Sequence, residues 1–177
     1  VIVLGLLAVL FSSTYMTGEE GEEKFYALLT AMIGTILGLG CTRDLFNLWV
    51  WFEAMAITSY MLVAFYRLQP ASLEAGVKYL VQSATGSVMV ILGIALVLGR
   101  TGTLELAEIH AAAQSGDVWL LAAGALFLVG FGVKVALVPL HTWLPDAHSQ
   151  APSGISAMLS GIVIEAGLVA MLRALGA

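Results

Sequence analysis

Between Leu73 and Leu98 the chain reads LEAGVKYLVQSATGSVMVILGIALVL, and beyond Lys78 no charge interrupts it. A run of about 20 apolar residues is what an α-helix needs to cross the hydrocarbon core of a bilayer. Five further stretches are similarly apolar: Val1–Met16, Phe25–Cys41, Leu45–Tyr66, Val118–Val138 and Ile155–Leu172. The chain is 60% hydrophobic and 11% charged, with a mean hydropathy of +0.97, whereas soluble domains carry roughly a quarter charged residues. Too few charges remain to solvate a globule of 177 residues, so the bilayer is the expected solvent. The expected fold class is all-α: a polytopic transmembrane bundle of about six helices in one domain, residues 1–177.

The connections support this division. The charged insert Thr17–Lys24 separates the first two spans, and its Glu19, Glu20, Glu22 and Glu23 supply much of the net charge of −5. That acidic balance gives no basic surface for nucleic acid. Arg43-Asp44 marks a tight turn, and Ser72 is a candidate N-cap for the fourth span. Within Gly99–Asp117, the section from Leu104 predicts a short amphipathic interfacial helix closed by Gln114-Ser115-Gly116. Pro139–Ser153 continues directly from an apolar helix and holds Trp143, three prolines and two histidines, the pattern of a broken helix. Val1 stands inside an apolar run without a basic leader region, so residues 1–16 read as a partial helix and the chain as a fragment. Gly34, Gly38 and Gly40 suggest a helix-packing face; Trp49, Trp51 and Phe52 read as lipid-facing or interfacial.

The chemistry rests with ionisable groups in apolar helices, which are functional hypotheses by default. Glu53 lies eight residues, ~12 Å, into its helix, near mid-membrane. It is either a proton carrier or a buried hydrogen-bonded residue joining helices. Lys134 is its natural counter-charge, five residues before Pro139. That proline cannot donate to the Val135 carbonyl, so a break is expected there. The other reading of Lys134 is a lysine snorkelling to the interface. Glu165, at a helix centre, is too short to snorkel and is expected to hold a proton or find a buried partner. Lys78 stands four residues after Glu74, so an i,i+4 pair is an alternative to a relay role. His141 and His148 bracket Trp143-Leu144-Pro145-Asp146. Two histidines without a third ligand make a poor zinc site, whereas histidine suits proton transfer near neutral pH; capping of the broken helix is the alternative for His148. Cys41 is the one cysteine, which excludes an iron–sulfur cluster or cysteine zinc site. Motifs for nucleotide binding or hydrolysis are missing.

The stretch Val133–Ser153, VKVALVPLHTWLPDAHSQAPS, resembles the signature of the antiporter-like proton-pumping membrane subunits of respiratory complex I. The same family includes the large subunits of Mrp-type Na⁺/H⁺ antiporters and membrane-bound hydrogenases. Asp44–Met55, DLFNLWVWFEAM, is similar to the family's glutamate helix, and the likeness runs from about Phe25 to the end. It implies the first repeat of the antiporter-like fold, a five-helix unit at 25–175. Glu53 would match the family's membrane glutamate, Lys134 the lysine of its discontinuous helix, and His141 and His148 its two histidines. At Glu165 many members carry a lysine, a departure that favours the hydrogenase- or Mrp-related branch.

The resemblance implies a proton relay of Glu53, Lys134, Glu165 and His141, with Lys78 and His148 as further candidates and Pro139 as the helix break. It implies no cofactor and no metal in this chain, with redox cofactors in a peripheral arm of partner subunits. Other membrane subunits and the lipid of an energy-converting membrane, that of a prokaryotic cell, complete the expected surroundings. Three function classes follow: a proton-translocating subunit of a redox-driven complex, an Mrp-type antiporter subunit without redox partners, and an assembly scaffold whose charges only join helices.

Overall fold

Helix boundaries follow the polar residues between the apolar runs. The computed structural model describes residues 1–112 and 116–177. In chain order the elements are α1 (Ile2–Tyr15), α2 (Glu22–Cys41), α3 (Leu45–Val63), α4 (Pro70–Thr101), α5 (Leu106–Ala112), α6 (Val118–Lys134), α7 (Trp143–Gln150), α8 (Ser153–Met158) and α9 (Ile164–Leu175). A π-helical turn, Leu159–Val163, joins α8 to α9. Four helical segments are long and apolar enough to cross a membrane: α2, α3, α4 and the rod Ser153–Leu175. α1 and α6 are apolar but shorter, at 14 and 17 residues. The six expected spans are therefore all helical, and α5 is the expected amphipathic helix. Gln114 and Ser115, expected to close it, lie outside the described residues.

Aspartate side chains start α3 and α6. The Asp44 carboxylate accepts from the Asn47 backbone N–H at 2.8 Å, satisfying a donor that the first turn leaves free. Asp117 does the same for Trp119 at 2.8 Å and also takes the Arg100 guanidinium at 2.8 Å. α4 begins differently from expectation. Its N-cap is Gln69 with Pro70 in the first turn, where a missing N–H costs nothing, and Ser72 instead donates to the Val63 carbonyl at 3.1 Å. At the far end of α2, Arg173 donates to the carbonyls of Leu39 and Thr42, covering groups the helix leaves open.

The core runs along α3, α4, α6 and α9. α4 packs on α6 and α3, α6 on α9, and α1 on α8. At the α4–α6 crossing the backbones nearly touch: a Cβ added to Gly130 would lie 2.6 Å from the Gly86 carbonyl oxygen. Phe52 is buried and meets Phe131 edge-on at 5.0 Å. Trp49 donates to Ser87 Oγ at 2.9 Å. Both therefore face protein, contrary to expectation, while Trp51 stays exposed on its outer side. The glycine face is also corrected: Gly38 packs on Trp51, but a Cβ at Gly34 or Gly40 would meet open space.

Candidate functional site

α6 stops at Lys134, before Pro139 can act on it. Ala136 takes the left-handed conformation, φ 56°. Leu137 N–H then bonds to the Gly132 carbonyl at 2.9 Å and Ala136 N–H to the Val133 carbonyl at 3.2 Å. These are the two bonds of a Schellman cap. The expected loss of a donor to Val135 thus gives way to an earlier termination, with Pro139 lying beyond the cap. The Val133 carbonyl accepts a second bond, from Trp143 Nε1 at 2.7 Å. α7 is thereby pinned to the end of α6, and the helix is discontinuous as expected.

Lys134, the last residue of α6, is 1% exposed. It does not snorkel. Its Nζ donates to Tyr79 Oη on α4 at 2.5 Å and lies 4.5 Å from the centre of that ring. Tyr79 stacks on Trp143 with centroids 4.0 Å apart and planes at 6°. The base of the lysine stem packs on Gly167 of α9, where an added Cβ would come within 3.3 Å of Lys134 Cγ.

α3 meets α6 at Phe52 and Phe131, one residue before Glu53 and three before Lys134, but Glu53 is not in ion-pair contact with Lys134. Among the described residues, ion pairs within 4.0 Å join Arg67 to Glu20, Lys78 to Glu74 and Asp146, and Arg100 to Asp117. The Glu53–Lys134 pair expected from charge balance is open in this conformation. Glu53 Oε1 is buried and has no hydrogen-bond partner, and the same holds for Ser83 Oγ. These two atoms belong to facing turns. α3 and α4 run antiparallel, tied by Trp49 to Ser87 at one level and by the Tyr60–Tyr79 edge contact, 6.3 Å, at another. One turn from Trp49 is Glu53, and one turn from Ser87 is Ser83.

The other candidates divide. His141 has a buried, unpartnered Nδ1 just before the indole that stacks on Tyr79. His148 Nδ1 pairs with Ser156 Oγ at 2.5 Å, a side-chain link from α7 to α8 rather than a cap on either helix end. Lys78 pairs with Glu74 at 2.7 Å as the spacing suggests, and also with Asp146 of α7 at 2.9 Å. Beside it, Gln82 donates to the Leu140 carbonyl at 2.7 Å and accepts from Thr142 at 3.0 Å. A groove of about 740 Å³ opens there along α4 and α6. Glu165 does not join the cluster. It is exposed on this chain, in a shallow groove against α1 and α2, so a buried partner within these residues is not found. No group of three or more metal-ligating side chains converges among the described residues.

Tyr79 and Ser83 were not singled out by sequence, and Trp143 entered only as a mark of the helix break. A phenol near the start of an apolar run resembles filler, yet its hydroxyl needs a partner when buried, and that requirement was the available signal.

The fold and site define a class: an all-α membrane bundle with a broken helix that carries a buried lysine beside a membrane glutamate. The family model described as "NADH:quinone oxidoreductase/Mrp antiporter, TM" matches residues 42–177, and the chain belongs to that family. It is 38% identical over 176 residues to NADH-quinone oxidoreductase subunit N of Desulfitobacterium hafniense, covering 97% of this chain and 35% of the relative. To a Na(+)/H(+) antiporter subunit of Bacillus subtilis it is 33% identical, again over 97% and 35%. A chain of the archaeal membrane-bound sulfane sulfur reductase superposes with TM-score 0.91 at 36% identity, over 97% of this chain and 35% of that one. The chain thus spans about a third of the length of these relatives. The branch suggested by Glu165 is not set apart by these identities, which run from 33% to 38%.

Proposed function

We propose that this chain is the proton-conducting part of an antiporter-like subunit in a redox-driven membrane complex. The observation that supports it most directly is the fully buried Lys134 at a helix break, together with a buried Glu53 carboxyl oxygen on α3 that lacks a partner among the described residues. Burying an ammonium costs several kcal/mol, whereas a hydrogen bond to a charged group returns roughly 1.5–3 kcal/mol. The phenol of Tyr79 alone does not balance that cost. Lys134 therefore either passes its proton on or draws the Glu53 carboxylate towards it, and alternation between the two moves a proton. His141, on the segment leading to α7, would exchange protons with this pair, and Glu165 would carry them toward the part of the protein beyond this segment. Lys78 and His148, both held by partners, serve more to fix α7 in place.

The chain supplies no cofactor in this reading. Electron transfer belongs to partner subunits, in a peripheral redox arm attached to other membrane subunits, in a prokaryotic energy-converting membrane. Coupling acts through charge: displacing one member of the Glu53–Lys134 pair changes the proton affinity of the other. A second reading, Na⁺/H⁺ exchange without redox partners, is favoured by the likeness to the Bacillus subtilis antiporter protein.

The test uses the full-length subunit in its native complex, in inverted membrane vesicles. Glu53→Gln and Lys134→Ala are each expected to abolish proton uptake while assembly is retained. Wild-type uptake in both sinks the relay. Purification in mild detergent separates the two readings: co-purifying redox subunits support the first, and Na⁺-driven uptake in a complex without them supports the second.

A further inference from the structure

We infer that Tyr79 is a positioning residue that competes with Glu53 for the Lys134 ammonium and holds the pair in its open arrangement. The inference rests on the relay reading above and adds its regulation.

Three observations meet at this point. The ammonium is hydrogen-bonded to the phenol and makes no ion pair with Glu53. The carboxylate it would otherwise reach keeps a buried oxygen without a partner. The phenol itself is fixed, since its ring lies flat on Trp143 at 4.0 Å and meets the edge of Tyr60 at 6.3 Å. Trp143 is in turn anchored to the Val133 carbonyl, one residue before Lys134. Both bonds to the end of α6 thus come from one stacked pair of rings, the indole taking a carbonyl and the phenol the adjacent ammonium.

The groups that face Lys134 can be named element by element. α3 carries Glu53 and Tyr60, α4 carries Tyr79, which alone of these bonds to the ammonium, and the segment before α7 carries His141 with its buried Nδ1. α7 presents the non-titrating indole of Trp143, and α9 presents Gly167, with Glu165 turned away from this cluster. Glu53 and Tyr79 are therefore the two hydrogen-bond acceptors in competition. A lysine stem fixed at its base can move its tip from one to the other by rotating its terminal bonds. Movement of α7 relative to α4 would slide Trp143 off the Tyr79 ring and release the phenol, so the position of the broken helix decides which acceptor holds the ammonium.

The experiment is Tyr79→Phe in the full-length subunit within its complex, with proton uptake followed across a pH series and the structure determined by cryo-electron microscopy. Phenylalanine keeps the ring and removes the acceptor. Lys134 Nζ is expected within ion-pair distance of Glu53. Uptake at neutral pH should fall about 10- to 100-fold, the scale of one hydrogen bond to a charged group. The alkaline limb of the profile should move to higher pH, because a carboxylate partner favours the ammonium more than a phenol does. A profile that superimposes on wild type, or a Lys134 that stays away from Glu53, overturns the inference. Should Tyr79→Phe fail to assemble, 4-fluorophenylalanine at position 79 fills the space of the hydroxyl with a fluorine, a far weaker acceptor that does not ionise. It is expected to shift the profile in the direction described for phenylalanine, and an unshifted profile counts against the idea. The two readings fail separately: active Glu53→Gln and Lys134→Ala sink the relay, whereas inactivity of those two beside a wild-type profile for Tyr79→Phe removes only the role of Tyr79.

Discussion

Replacing Gly130 by alanine puts one methyl group into the tightest contact of the bundle. That Cβ would stand 2.6 Å from the Gly86 carbonyl oxygen, 2.6 Å from Val90 Cγ2 and 3.0 Å from the Val90 nitrogen. Two of the three atoms are backbone, so no rotamer change relieves the clash and α4 must move away from α6. Overpacking of this kind costs about 1–3 kcal/mol. For a unit of 150–250 residues that corresponds to roughly 2–12 °C in Tm, and to less in the longer full-length protein. The assay is thermal unfolding of the full-length protein in detergent, with Gly34→Ala as control because a Cβ there meets nothing. In the control, alanine removes the glycine penalty in a helix, about 0.5–1 kcal/mol, so Tm should hold or rise. Lys134 sits one turn beyond Gly130 and its phenol partner lies on α4, so separation of the helices should also lower proton uptake. Equal Tm for both variants would refute the view that this crossing is closed by backbone contact.

The two ends of α6 carry further predictions. Ala136→Gly should stabilise the protein by about 1 kcal/mol, since alanine at φ 56° bears the left-handed penalty; a lower Tm would mean that the alanine methyl contributes more to packing than its backbone conformation costs. The Arg100 guanidinium, and after it the Trp119 N–H, hold the Asp117 carboxyl below its usual 3.8. A carboxylate with a lowered folded value contributes stability that is present above pH 3.8 and lost as pH falls through the lower value. Asp117→Asn should therefore be less stable than wild type at neutral pH, with the gap in Tm closing in acid; a gap independent of pH would place the effect elsewhere.

The spans were legible because about 20 uninterrupted apolar residues have few other solutions. The break after Lys134 was legible as a region, since Trp143, prolines and histidines crowd into a segment that begins apolar. Its position was not, because the residue that turns the chain is Ala136, and alanine carries no left-handed signature. The facing of Trp49 and Phe52 was equally hidden: lipid is as apolar as a protein core, so periodicity does not separate the two. At the site, Glu53 and Lys134 announced themselves as charges in apolar helices. Their lack of direct contact, and the phenol that takes the ammonium instead, depended on helix register that a single sequence does not give.

The π-helical turn Leu159–Val163 has a consequence for the phase of the last helix. A π turn accommodates an extra residue, and each residue advances an α-helix by about 100°. The rod Ser153–Leu175 therefore carries two differently oriented inner faces: α8 meets α1 through Gly154, and α9 meets α6 through Gly167. A one-residue deletion in this turn would leave the rod long enough to span the bilayer. It would nonetheless rotate Gly167 away from the lysine stem and swing Glu165 by the same angle, so this part of the helix tolerates substitution more readily than any change in length.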